Sequence, residues 1–152
     1  MSEKFIKKIE ELHLDNDIIN FEQTTKTAKD AAFALKCEVE QIVKSLVFKK
    51  KNKDEPIIIL VSGSNRVDEN KVSKIIGYEI EKADADFVKE KTGYAIGGVP
   101  PIGHKEKIDI YMDKDLLKFD FVWAAAGTPN SVFKIGSKTL LEISKAKTIE
   151  VK

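Results

Sequence analysis

The stretch GYAIGGVPPIGHKE, Gly93–Glu106, constrains the fold more than any other part of the chain. It holds four of the eight glycines and two of the four prolines. Glycine lets a backbone approach a ligand closely, and consecutive prolines fix φ and remove two N–H groups. We therefore predict a stiff loop in which Gly97 and Gly98 turn their N–H groups toward one point, as in an oxyanion hole, while Pro100 and Pro101 fix its curvature. The alternative is a plain tight connection between two strands.

A lysine inside an apolar strand is the second constraint. Gln41–Lys50 reads as a strand in which alternation places Lys44 on one face with Leu46, and Ser45 on the other face. Burying an ammonium without a partner is costly. Lys44 must therefore pair with a carboxylate, extend its charge to the surface as a structural lysine, or face a polar cavity that receives an anion. The pattern leaves the structural and the ligand-facing interpretations open.

A lysine-rich turn follows that strand. The sequence KKKNKDE, residues 49–55, joins it to the apolar run PIIILV. Runs of this kind are commonly solvated hairpin tips, but the turn adjoins the Lys44 strand and is the first candidate for contact with nucleic-acid phosphates. The candidate contacts are Lys49, Lys50, Lys51 and Lys53.

The remaining segments alternate between helical and strand patterns. Ile57–Val61 is apolar throughout, as expected for a central strand, and Phe121–Ala126 is predicted to be a second buried strand. Asp68 is placed to cap a helix that Gly77 ends, and Ser137 to cap another. With no repeat or linker, residues 1–152 are predicted to form one α/β domain with a mixed sheet.

Composition excludes several classes of protein. The net charge of +1 gives no bulk signature of a nucleic-acid binder, so any contact with a polyanion must come from a local patch. Cys37 is the only cysteine, which excludes an intrachain disulfide and a multi-thiolate zinc cage, and we expect no metal or cofactor. The N-terminus lacks an apolar signal segment and no apolar run is long enough to span a bilayer, so a cytoplasmic protein is expected.

Two motifs together point to a family. KSLVF, followed at a distance by GYAIGGVPPIGH, resembles the YbaK/prolyl-tRNA-editing family of aminoacyl-tRNA deacylases, and the resemblance extends over nearly the whole chain. It implies a mixed, partly closed barrel-like sheet flanked by short helices. It also implies catalytic roles for Lys44, Gly97 and Gly98. The implied substrate-binding residues are Ser45, Val99, Pro100, Pro101, Gly103 and His104.

The sequence departs from the family pattern at two positions. Ser45 stands where the family often has threonine, and it keeps a hydroxyl. Pro100 stands where prolyl-editing and cysteinyl-tRNA deacylase members commonly carry serine, which leaves open the identity of the amino acid removed. His104 has two possible roles, as a general base or as a residue that holds the loop through a backbone hydrogen bond.

The resemblance implies a freestanding hydrolase that deacylates mischarged aminoacyl-tRNA carrying a small amino acid such as alanine, serine or cysteine. Water would attack the ester, the glycine amides would stabilise the oxyanion, and Lys44 would orient the carbonyl or a terminal phosphate. The expected partners are the 3′-terminal adenosine of aminoacyl-tRNA and an aminoacyl-tRNA synthetase. Two alternatives are a non-catalytic module that binds tRNA or a synthetase, and a hydrolase of small esters or amides unrelated to tRNA.

Overall fold

The computed structural model describes residues 3–14, 17–22 and 27–152. Short 3₁₀ helices cover Val39–Gln41 and Lys114–Lys118. The helices and strands of the described residues, in chain order, are α1 (Glu3–Glu11), β1 (Ile18–Asn20), α2 (Ala28–Leu35), β2 (Val43–Lys50), β3 (Pro56–Ser62), α3 (Glu69–Ile76), β4 (Ile80–Lys82), α4 (Ala85–Thr92), β5 (Asp109–Asp113), β6 (Phe121–Ala125), β7 (Ser131–Gly136), α5 (Ser137–Ser144) and β8 (Lys147–Ile149). None of these helices is both long enough and apolar enough to cross a membrane.

Local capping signals set the ends of α3 and α4. Asp68 and Asp84 each accept a hydrogen bond from the backbone amide three residues on, at 3.1 and 2.8 Å, as N-cap side chains do. Gly77 and Gly93 end the two helices with φ of 90° and 86°, a left-handed conformation that costs glycine little. The predicted Asp68 and Gly77 caps are therefore confirmed.

Two predictions about the C-terminal half are wrong. Ser137 does not cap α5, because its hydroxyl donates instead to the carbonyl of Phe119 at 2.5 Å and Gly136 occupies the N-cap position. β6 is not a uniformly buried strand, since Phe121 is half exposed and buried side chains alternate with less buried ones along it. Tertiary packing on one face of the strand decides this burial, and an apolar run alone does not reveal it.

The described strands form two sheets. The five-stranded sheet has the order β4-β2-β3-β5-β8, with β2 and β3 antiparallel and β3, β5 and β8 parallel. The three-stranded sheet has the order β1-β7-β6 and is antiparallel. A single parallel bridge, Ile42 to Trp123, joins β6 to the start of β2. The mixed α/β fold is confirmed, but the sheets do not close among the described residues and the barrel-like arrangement is not confirmed.

The central strand β3 separates two apolar clusters. Ile58 and Leu60 pack on the face covered by α1 and the Gly93–Glu106 loop, in a cluster that includes Phe5. Ile57, Ile59 and Val61 pack on the other face, against Val72 of α3. Each such fully buried aliphatic side chain contributes about 1.5–3 kcal/mol to stability. The two faces of β2 and β3 therefore meet different surroundings.

Candidate functional site

Hydrogen bonds close the base of the Gly93–Glu106 loop. The Lys105 amide donates to the Thr92 carbonyl at 3.0 Å, which joins the two ends of the loop. The Thr92 hydroxyl is fully buried, donates to the Val88 carbonyl at 2.7 Å and accepts from the Tyr94 amide at 3.1 Å. The loop is therefore anchored to the last turn of α4.

Two aromatic residues brace the inside of the loop. The Tyr94 hydroxyl donates to the Gly103 carbonyl at 2.8 Å, and His104 Nε2 lies 2.6 Å from the Pro100 carbonyl. Because a carbonyl only accepts, this contact requires that Nε2 carry the proton. Burial lowers the pKa of His104, and the nearby Lys4 charge lowers it further, while the bond to Pro100 opposes the change. This geometry supports the loop-holding role of His104 over general-base catalysis.

The two central glycines have different tasks. The Gly98 amide donates to the Ala95 carbonyl at 3.0 Å, so it does not point at a ligand, contrary to the sequence-based expectation for its N–H group. Gly97 takes φ of 88° at the third position of this turn, where glycine is favoured. The amides of Gly97 and Val99 have no hydrogen-bond partner among residues 3–14, 17–22 and 27–152. These two amides, which flank Gly98, are therefore not used within the described protein.

Gly98 also packs against the turn that follows β6. A Cβ atom at this position would lie 2.9 Å from the Thr128 Cα and carbonyl carbon and 3.1 Å from the Pro129 nitrogen. Hydroxyl–hydroxyl contact between Thr128 and Ser131, at 2.6 Å, holds that turn. The Gly127–Ser131 turn therefore lies beside the loop.

Gly103 fixes the other side of the loop against the N-terminal helix. Its φ is 77°, and a Cβ atom there would lie 2.9 Å from the Cα atom of Phe5. The Lys4 ammonium adds contacts of 3.4 Å to the carbonyls of His104 and Lys105. Helix α1 is therefore part of the scaffold of this loop.

Lys44 and Ser45 lie on opposite faces of β2. The register is regular from Val43↔Ser62 to Lys49↔Pro56, so residues paired across the strands share a face. Ser45 pairs with Leu60, on the face packed by the loop, whereas Lys44 pairs with Val61, on the face packed by α3. The structure therefore places Ser45, and not the Lys44 side chain, on the loop's face.

The Ser45 hydroxyl is a buried polar atom without a protein partner. Within the described part of the chain it is the one buried side-chain oxygen or nitrogen with no hydrogen bond. An unsatisfied buried hydroxyl costs about 1–3 kcal/mol in stability. Native proteins therefore keep few such atoms, and those they keep often have a functional role. β6 runs beside the start of β2 through the Ile42–Trp123 bridge, and the turn after β6 contacts Gly98. Ser45 itself pairs with Leu60, which packs in the same apolar cluster as the loop residue Val99.

Lys44 is half-buried and partnered. Its ammonium donates to the Asn65 carbonyl at 2.5 Å. Burial is the main cause that lowers its pKa, the positive charge of Arg66 lowers it further, and the Asp113 carboxylate opposes both. Sequence reasoning placed Lys44 correctly as a charged residue within apolar surroundings, but it did not identify Asn65, Arg66 or Asp113 as neighbours.

Three of the four candidate tRNA contacts are ion-paired with glutamates. Lys49, Lys50 and Lys51 lie 3.4, 3.0 and 3.4 Å from carboxylates of Glu81, Glu55 and Glu79, respectively. Lys50 lies six residues from Lys44 along β2, or about 20 Å. An open cavity of about 260 Å³ lies at this hairpin tip, and its lining residues are Lys50, Lys51, Asn52, Lys53, Tyr78 and Glu79.

Cys37 has the properties of a structural thiol. It is partly buried and packs at the edge of the small cluster formed by α2 and Ile42. Burial raises the pKa of the thiol, with a further contribution from the charge of Glu38. The thiol therefore stays protonated, which is unfavourable for a nucleophile.

Comparisons with known proteins agree with this architecture. Residues 22–143 match the family described as "Aminoacyl-tRNA editing domain". The chain is 32% identical over 133 residues to "Uncharacterized protein YwhH" of Bacillus subtilis, covering 88% of this chain and 84% of that protein. It is 25% identical over 126 residues to "Putative Cys-tRNA(Pro)/Cys-tRNA(Cys) deacylase EbsC" of Enterococcus faecalis, covering 82% and 76%.

A solved structure described as "a putative trans-editing enzyme for prolyl tRNA synthetase" superimposes with a TM-score of 0.88 at 39% identity, covering 100% of this chain and 98% of that one. The matched family region includes β2, the glycine loop and the turn after β6. The likeness therefore covers the fold and the elements that build the site. The chain belongs to the aminoacyl-tRNA editing domain family.

Proposed function

We propose that this protein is a cytoplasmic hydrolase that acts in trans on mischarged aminoacyl-tRNA and removes a small amino acid such as alanine, serine or cysteine from the 3′-terminal adenosine. The observation that carries the proposal is the braced loop at Gly97–Pro101, which has unpaired amides, in a chain of the editing family whose buried, unpaired Ser45 hydroxyl lies on the face of β2 that the loop packs. Relatives named as a deacylase and as a trans-editing enzyme support this class of reaction.

The reaction needs no covalent nucleophile. Water attacks the ester carbonyl, the carbonyl oxygen becomes an oxyanion, and the bond to the ribose oxygen then breaks with proton transfer to that oxygen. The Gly97 and Val99 amides stabilise the oxyanion, which is the largest catalytic contribution that such a loop can make. Because the Gly98 amide is bonded to Ala95, its role is to hold the turn that presents these two donors.

Lys44 acts on the phosphate of the terminal nucleotide rather than on the carbonyl. Its side chain leaves β2 on the face opposite to the loop, where the exposed Arg66 adds a second positive charge. A phosphate placed between these two cations would relieve their repulsion. The terminal adenosine would then run from this phosphate site to the loop, where its ester is hydrolysed.

Ser45 lines the acyl pocket. We assign the acyl site to the space between the Ser45 hydroxyl and the loop residues Pro100 and Pro101, which are buried, so that a short side chain would fit and a bulkier one would be excluded. Removing one methylene discriminates only about 10- to 200-fold, so tRNA contacts must add selectivity. We assign these contacts to the hairpin lysines Lys49, Lys50, Lys51 and Lys53; the ion pairs of the first three lie at the surface, are weak, and can exchange for phosphates.

The test is a panel of tRNAs charged with alanine, serine, cysteine or proline, in which loss of the ester is followed over time. We expect wild-type protein to hydrolyse small-residue esters and Lys44→Ala to lose most of this activity. Lys82→Ala, an exposed lysine of β4, is the matched control and should keep it.

The panel also separates the alternatives. Binding of charged tRNA without turnover would support a non-catalytic module that holds tRNA or a synthetase. Hydrolysis of simple aminoacyl esters with none of charged tRNA would support a small-ester hydrolase. Either result would contradict the proposed function.

A further inference from the structure

A buried carboxylate organises the turn between β3 and α3. Asp113, at the end of β5, is only 1% exposed. Its Oδ2 atom accepts the Ser62 amide at 3.1 Å and the Asn65 side-chain amide at 2.8 Å, and its Oδ1 atom accepts the Asp115 amide at 2.9 Å. β3 and β5 are parallel neighbours, so their C-terminal ends lie side by side. The Asp113 carboxylate therefore links the C-terminal ends of these two strands by hydrogen bonds.

Asn65 has only one orientation that satisfies its neighbours. Its Nδ2 atom donates to Asp113 at 2.8 Å and to Asp115 at 2.9 Å. Both acceptors are carboxylates, so the opposite rotation of the amide would place oxygen against oxygen. Asn65 is 9% exposed, and its backbone amide also donates to the Ser62 carbonyl at 2.9 Å. Side chain and backbone of this residue are both fixed.

The fixed residue presents its carbonyl to Lys44. The Lys44 ammonium donates to that carbonyl at 2.5 Å, across 21 positions of sequence. The connection runs from the Asp113 carboxylate through the Asn65 amide and backbone to the ammonium. Two charges act on the ammonium from neighbouring elements: Arg66, in the turn after β3, repels it, and Asp113, from β5, attracts it. Without the charge of Asp113, no described residue would oppose the effect of Arg66 on the pKa of Lys44.

We propose that Asn65 and Asp113 are positioning residues for Lys44: they hold its ammonium beside Arg66, in the place where the two cations together receive a terminal phosphate of the tRNA. This inference rests on the proposed function for its phosphate ligand. The positioning itself rests on contacts within the protein. Neither residue touches the substrate.

The test measures Lys44 without tRNA and deacylation with tRNA. The variants are Asp113→Asn, which keeps the shape of the side chain, and Asn65→Ala, which removes both amide donors. Asp109→Asn is the matched control, because it makes the same change at an exposed position of the same strand. Urea unfolding shows which variants are folded, and each folded variant serves as a test.

The first readout is the pH dependence of acylation of Lys44 by an amine-specific reagent, followed by mass spectrometry. In Asp113→Asn the attraction that raises the pKa of Lys44 is lost, so the midpoint of labelling should move to lower pH than in wild-type protein. Asn65→Ala should increase the rate of Lys44 labelling, because the backbone carbonyl that accepts from the ammonium is no longer held by the side-chain bonds to Asp113 and Asp115. Asp109→Asn should match wild-type protein in both the midpoint and the rate of Lys44 labelling.

The second readout is kcat/KM for deacylation, which we expect to fall by up to about 100-fold in both positioning variants, since small misplacements of a binding group have effects of this size. Wild-type labelling profiles in folded Asp113→Asn and Asn65→Ala would overturn the positioning. A shifted profile in a protein that deacylates no tRNA would support the positioning and refute the proposed function instead.

Discussion

Replacing Gly98 by alanine tests whether the loop works through its exact placement. The added Cβ atom would lie 2.9 Å from two backbone atoms of Thr128. The loop and the turn must separate by about 0.5 Å to restore ordinary contact, and overpacking of this kind costs about 1–3 kcal/mol. The φ angle of Gly98 is not in the left-handed region, so the whole effect comes from this contact.

Such a displacement moves the neighbouring amides of Gly97 and Val99 relative to the ester. Misplacement of about 1 Å costs roughly 100-fold in rate, so a loss of about 10-fold or more is expected here. The assay is single-turnover deacylation of a small-residue aminoacyl-tRNA, with the free energy of unfolding measured by urea denaturation on the same preparation.

Gly77→Ala is the matched control. Gly77 has φ of 90°, and no atom lies within 4 Å of the position that a Cβ atom would take, so alanine there is strained by about 1–2 kcal/mol without touching the loop. Both variants should lose similar stability, but only Gly98→Ala should lose activity. Wild-type deacylation by Gly98→Ala, or an equal loss in Gly77→Ala, would refute the reasoning.

Three further predictions concern the scaffold. Burial lowers the pKa of His104 from its ordinary value of 6.5, so the folded state holds the imidazole neutral. The contribution of neutral His104 to stability is therefore full above pH 6.5 and is lost as the pH falls below it. The free energy of unfolding of His104→Gln should accordingly depend less on pH below about 6.5 than that of wild-type protein. Gly103→Ala combines a left-handed φ with a Cβ atom 2.9 Å from Phe5, so it should cost more than the roughly 1–2 kcal/mol of backbone strain and release α1 from the loop, measurable as faster amide exchange in α1. Thr27→Ala removes the side-chain acceptor that caps α2 at 3.1 Å and should lower the free energy of unfolding by about 1 kcal/mol in urea, with deacylation unchanged.

The sequence predicts those parts of the fold that depend on neighbours along the chain. Asp68 and Gly77 indicate the ends of α3, and the run Ile57–Val61 indicates a buried strand, because capping and burial pattern are local. The failure of Ser137 as a cap was not visible, since its hydroxyl partner, Phe119, is 18 positions away. The pairing of β3 with β5, which creates the Asp113 network, likewise depends on long-range contacts.

In the candidate site, too, local features are predicted from the sequence and long-range contacts are not. Alternation along β2 correctly separates Lys44 from Ser45, but it does not say which side the glycine loop covers. The density of glycine and proline predicts a shaped loop, whereas the bond between Gly98 and Ala95 follows from the turn that the loop adopts. A signal for Asn65 existed in the polar turn after β3, but its carboxylate partner lies 48 positions later.

Two neighbouring residues of β2 serve opposite sides of the sheet, and this makes their spacing as important as their identity. An insertion of a single residue ahead of Lys44 would rotate everything after it by half a period if pairing with β3 were kept. The Lys44 ammonium would then point into the apolar core covered by α1, and the Ser45 hydroxyl would point toward α3. Length changes in this segment should therefore be far less tolerated than changes of side chain.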